Sequence, residues 1–65
     1  MDWNKETIRK FRKDLRMTQK EFAKMIGVTV RYVTYLETGK RKASSVLKKL
    51  LDCLYEKYRG KGVIE

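Results

Sequence analysis

Apolar side chains return along this chain at three- and four-residue steps from Ile8 to Tyr58, and nowhere in the two-residue alternation of a strand. That period predicts helices throughout. The first is expected from about Lys5 to Arg16, with Asn4 as N-cap and Ile8, Phe11 and Leu15 along one stripe. Trp3 and Ile8 fall at the two positions of a hydrophobic staple. Thr18-Gln19-Lys20-Glu21 reads as a capping box, so a second helix starts at Gln19, turns Phe22, Ala23 and Ile26 inward, and stops at Gly27. Thr29 caps a short third helix, with Val28 and Val33 in staple positions and Thr38-Gly39 at its end. After the basic loop Lys40-Arg41-Lys42, Ser44 or Ser45 caps a last helix through about Tyr58, carrying Leu47, Leu50, Leu51, Leu54 and Tyr58. Residues 59–65, with Gly60 and Gly62, are expected to form a frayed tail.

Length limits what such a chain can do. Its 65 residues allow a single domain, 1–65, and a chain of that size buries only about 60% of the surface its unfolded form exposes. The expected fold is therefore all-α, a compact bundle of four to five helices around one small core. With no Pro, no His and one Cys, the chain has no internal disulfide and no plausible metal-ligand cluster, so no metal, cofactor or catalytic residue is expected. Cys53 is expected to be an inert packing thiol on an apolar helix, and its solitary thiol points to a reducing, cytoplasmic setting.

Charge narrows the partner. Lys and Arg number 17 against 8 Asp and Glu, a formal balance of +9, which favours a polyanion. Apolar residues make up 42% of the chain, too many for a disordered basic arm, and no run approaches the roughly 20 residues a bilayer crossing needs. No signal peptide is visible after Met1, and no membrane partner is expected.

Between Gln19 and Thr38 the pattern is more specific than amphipathicity. Two short helices meet at Gly27, with the small Ala23 where backbones must approach and Phe22, Ile26, Val28, Val33 and Leu36 to fill the angle between them. Such a pair is a helix-turn-helix. Its residues, together with Arg12, Leu36-Glu37-x-Gly39-Lys40 and Leu47, Leu50 and Leu54, resemble the Cro and repressor type of regulator, the xenobiotic-response-element (Xre) family that includes lambdoid phage repressors. The resemblance spans about Ile8 to Leu54 and implies a transcriptional regulator, most simply a repressor, bound to double-stranded DNA.

Spacing on the third helix leads to the same surface. With Val33 and Leu36 inward, Arg31, Thr34, Tyr35 and Thr38 form an outward stripe that can lie in a major groove. Thr29, Val30, Arg31, Thr34 and Tyr35 are the candidate base contacts: Arg31 suits guanine, Val30 a thymine methyl, and Tyr35 a base edge or the backbone. Thr18, Gln19, Thr38, Lys40, Arg41 and Lys42 are the candidate phosphate contacts, the first two because a helix N-terminus favours an anion. By resemblance, Gln19 also braces the third helix, and Arg12 and Glu37 form a buried ion pair. Arg9, Lys13 and Arg16 on the first helix are expected to be a solvated basic face, as are the lysines of the last helix, and Tyr32 is expected to cover the core edge.

Two features depart from the family pattern. Ala43-Ser44-Ser45 stands where relatives commonly have Pro, and Leu51 to Tyr58 shows no Gly break, so the last helix is expected to be one longer rod. Val30 replaces a polar residue that several phage repressors use to read adenine, which leaves the target sequence open. The last helix also carries more apolar residues than one face can hold: Val46, Leu47, Leu50, Leu51, Cys53, Leu54, Tyr55 and Tyr58. The surplus suggests a homodimer through that helix on a palindromic operator. A monomer with Trp3 or the Val63-Ile64 tail over the patch is the alternative. Two other functions stay open: a protein-interaction module, antitoxin-like or bridging, and, far less in keeping with the residues present, an enzyme.

Overall fold

A computed structural model describes residues 2–60. The chain forms four helices in the order α1 (Lys5–Asp14), α2 (Gln19–Ile26), α3 (Val30–Thr38) and α4 (Ser45–Gly60), with no strand among the described residues. α4 is unbroken, and residues 59 and 60 continue it where a frayed tail was expected. The remaining tail, residues 61–65 with Val63 and Ile64, lies outside the described residues.

Each helix starts on a side chain that satisfies its orphan N–H groups. Asn4 Oδ1 accepts from the N–H groups of Glu6 and Thr7 at 2.9 and 3.0 Å, and Thr7 Oγ1 accepts from Asn4 N–H at 2.8 Å, a reciprocal box that sequence reading did not identify. Thr18 and Glu21 form the expected box on α2. Thr29 Oγ1 accepts from Tyr32 N–H at 3.1 Å, and Ser44, rather than Ser45, caps α4 by accepting from Leu47 N–H.

The helix ends explain two glycines and one anomaly. Gly27 (φ +76°) has open space around the position of a Cβ, so its role is the left-handed turn itself. Gly39 (φ +81°) likewise makes a left-handed turn, with the flexible Lys5 chain lying over it, its Cδ 3.1 Å from the position of a Cβ. α1 ends at Asp14, short of the expected Arg16, because Arg16 turns into the left-handed region at φ +57°. Its N–H donates to Lys13 O at 2.9 Å and Met17 N–H donates to Arg12 O at 3.2 Å, the paired bonds of a Schellman motif with Arg in the usual glycine position. That backbone geometry costs a non-glycine residue about 1–2 kcal/mol.

The core draws on every helix. Ile8, Phe11 and Leu15 from α1 and its C-cap meet Phe22, Ala23 and Ile26 from α2, Val33 and Leu36 from α3, and Leu47 and Leu51 from α4. An aromatic cluster lies within it: Trp3 and Phe11 have ring centroids 5.4 Å apart, Phe11 and Phe22 6.0 Å, and Phe11 and Tyr55 5.7 Å. Trp3 Nε1 donates to Asp52 Oδ1 at 2.7 Å, which ties the segment before α1 to α4. Tyr32 packs against the core edge.

Two expectations for α4 need correction. Cys53 is exposed, not packed. Leu50 is also exposed, because Leu47, Leu51, Leu54 and Tyr55 already fill the inward arc and a helical residue one position before Leu51 points about 100° away from it. Val46, Leu50 and Cys53 thus form an outward apolar stripe, with Val46 77% exposed. Trp3 lies on the Asp52 and Tyr55 side and leaves that stripe open.

Ala23 is buried on the face of α2 that packs into this core. Ala23→Leu should therefore destabilise the protein by about 1–3 kcal/mol through overpacking. Urea unfolding would show a lower midpoint at unchanged slope, and a midpoint equal to the parent's would mean that the helices have slack there.

Candidate nucleic-acid interface

α3 is short and has two unlike faces. Val33 and Leu36 are buried, and Glu37 joins them with only 9% of its surface exposed. Thr29, Val30 and Arg31, at the N-terminal end, are exposed, as is Thr38 at the other end, while Thr34 and Tyr35 are half-buried. Val30 is 41% exposed, an apolar residue on the solvent side of a helix start. The outward face is open at Thr29, Val30, Arg31 and Thr38 and partly covered at Thr34 and Tyr35.

What holds this face in place is a polar network under it. Arg12 Nε and Nη2 donate to the two carboxylate oxygens of Glu37 at 2.6 and 3.0 Å, a bidentate fork that joins α1 to α3. The third arm, Arg12 Nη1, donates to Met17 O at 2.9 Å and so pins the turn before α2. Gln19 bridges the remaining gap: its Nε2 donates to Glu37 Oε1 at 3.3 Å, and its Oε1 lies 3.3 Å from the Thr34 hydroxyl. The hydrogen bonds that Arg12 itself makes to Glu37 push the Arg12 pKa upward, against the opposing effect of burial. Every buried side-chain nitrogen and oxygen among the described residues has a partner.

The candidate contacts separate into groups with different freedom. Arg31 is exposed, and no hydrogen bond or ion pair among the described residues engages its side chain. Thr34 is partly committed, donating to Val30 O at 3.1 Å or to Gln19, and Thr38 donates to Thr34 O at 2.9 Å. Tyr35 carries the Lys40 ammonium 4.9 Å from its ring centroid, so a candidate base contact and a candidate phosphate contact form one unit. Thr18 is occupied as the α2 cap, and Gln19 braces α3. Arg41 and Lys42 are exposed beyond the end of α3, with Arg41 N–H donating to Tyr35 O at 3.2 Å.

The arrangement brings Arg12, Gln19, Thr34 and Glu37 into one cluster and leaves Thr29, Val30 and Arg31 at its open edge. Sequence reading had not linked Lys40 to Tyr35 or Arg12 to Met17 O. The first pairing spans five residues and follows from the turn at Gly39; the second depends on the bend at Arg16, which no local residue preference announces. Among the described residues no group of His, Cys, Asp and Glu is placed to hold a metal ion, and no helix is long and apolar enough to cross a membrane.

Arg12→Ala should destabilise the domain by about 3–5 kcal/mol, because it leaves the Glu37 carboxylate buried without its main partner. The paired change Arg12→Met with Glu37→Leu should recover most of that loss in a thermal-unfolding series. A single variant that melts with the parent would show that solvent, not Arg12, satisfies Glu37.

In comparison with known proteins, a family model described as helix-turn-helix matches residues 8–54, from α1 into α4. No curated protein and no solved structure gives a match.

Proposed function

The chain belongs to the Cro and repressor type of the helix-turn-helix family, a family of DNA-binding regulators, and we propose on that premise that it docks α3 in the major groove of an operator and represses transcription by occupying it. The observation that carries this reading is the division of α3 into a buried face anchored by Val33, Leu36 and Glu37 and an open edge at Thr29, Val30 and Arg31.

Arg31 supplies the strongest discrimination, since a guanidinium with no partner among the described residues can form a fork with guanine O6 and N7. Val30 faces a thymine methyl, and Thr29 and Thr34 add hydroxyl contacts. Tyr35 and Lys40 act together at the groove wall, the ring against sugar or base edge and the ammonium near phosphate. Thr18, Gln19, Thr38, Arg41 and Lys42 fix register along the backbone without reading sequence. Regulation here needs no chemistry on DNA; it needs residence.

A second copy completes the site. The molecule measures 30 × 22 × 19 Å, enough to follow one groove segment, whereas a two-fold operator presents half-sites about 34 Å apart. The stripe of Val46, Leu50 and Cys53 supplies the self-complementary surface for that pairing. A protein-interaction role for the same stripe is the competing reading, and it differs in needing no duplex.

Selection from a random duplex pool should return a palindrome with one preferred base pair per half-site that Arg31→Ala relaxes, at about 1–3 kcal/mol of lost discrimination. Lys42→Ala should weaken all sequences alike and lower the salt slope by about 1. Sedimentation should show a dimer that Leu50→Lys converts to a folded monomer. A pool without enrichment, or the reverse behaviour of the Arg31 and Lys42 variants, would sink the assignment.

A further inference from the structure

We propose that Arg16 is a phosphate-binding residue of the DNA interface, retained in a left-handed backbone position because its guanidinium serves there. The inference rests on the DNA-binding reading above. Among the described residues three adopt positive φ; two are Gly27 and Gly39, and the third is Arg16. Among the described residues glycine takes the other two positions of this geometry. At Arg16 it accepts the steric strain and gains a charged side chain.

Nothing within the described chain uses that side chain. Arg16 is exposed, no hydrogen bond or ion pair engages its guanidinium, and Asp14, two residues away, is held by Lys10 at 2.8 Å. The strain is therefore not offset by an internal contact. The backbone beneath the side chain is fixed, however. Arg16 N–H and Met17 N–H are bonded to the end of α1, and Met17 O accepts from Arg12 Nη1. Two residues on, Thr18 caps α2, whose first residue Gln19 is bonded to Thr34 on α3. An unbroken polar path thus sets Arg16 relative to the helix that enters the groove. A guanidinium so placed, beside the end of α2 proposed to face phosphate, suits a bidentate contact to two phosphate oxygens.

Four proteins separate strain from charge: the parent, Arg16→Gly, Arg16→Gln and, as a charge control, Lys24→Gln, which removes an exposed cation in the last turn of α2. Thermal unfolding is measured without DNA, and binding to a short mixed-sequence duplex is measured across a salt series. Arg16→Gly should melt a few degrees above the parent, and Arg16→Gln close to it. Both should bind several-fold more weakly near 0.1 M salt, with the slope of log K against log salt reduced by about 1, while Lys24→Gln keeps the parental slope. If the parent binds and both Arg16 variants keep its slope, Arg16 carries no phosphate and the proposal is overturned with the DNA reading intact. An equal loss in Lys24→Gln would reduce the effect to net charge and overturn it too. A parent that binds no duplex removes the DNA-binding premise and the Arg16 role together.

Discussion

A single carboxylate organises this protein. Glu37 lies on the inner side of α3, where burial would otherwise favour an apolar residue, and its two oxygens gather Arg12 from α1 and Gln19 from α2. Removing such a charge from water is unfavourable by several kcal/mol unless the partner fork is well formed. The arrangement consequently couples three helices: α1 and α3 must be in register for the Arg12 fork, and α2 and α3 for the Gln19 bond. Apolar packing alone tolerates sliding, and a recognition surface cannot. The network converts a small hydrophobic cluster into a frame with one preferred orientation of α3.

That frame also explains why the outward face can stay uncommitted. The residues that hold α3 lie on its inner side or at Thr34, midway along it, and the N-terminal end is left to Thr29, Val30 and Arg31. Pre-organisation favours binding because the exposed side chains of α3 sit on a fixed backbone before any partner arrives. Lys40 over the Tyr35 ring extends the same principle to the loop, since a lysine held on an aromatic face loses less freedom when it meets a phosphate.

Much of this was legible before the coordinates. Period and caps located all four helices, because Asn4, Thr18, Thr29 and a serine before Val46 are side chains whose chemistry belongs at helix starts. Ends proved harder than starts. Arg16 carries no sign of a left-handed turn, so α1 was read too long. Whether an apolar residue on α4 faces in or out depends on its angle to partners from three other segments. Leu50 and Leu51 are indistinguishable by composition, and only packing separates them. The Arg12–Glu37 pairing had its source in family resemblance, since a separation of 25 residues holds no local signal. The Trp3–Asp52 bond, across 49 residues, had neither source.

α4 shows how two demands share one helix. Leu47 and Leu51 complete the core, and Val46, Leu50 and Cys53, rotated away from them, face solvent. α4 packs against α2, and α2 in turn packs against α3. Domains of this size have total stabilities of only about 3–10 kcal/mol, so the proposed association through α4 would add an appreciable share and make apparent stability depend on concentration. In the proposed dimer the exposed stripe, unfavourable in a lone copy, would couple folding, pairing and the spacing of the two α3 helices in a chain too short to hold a larger core.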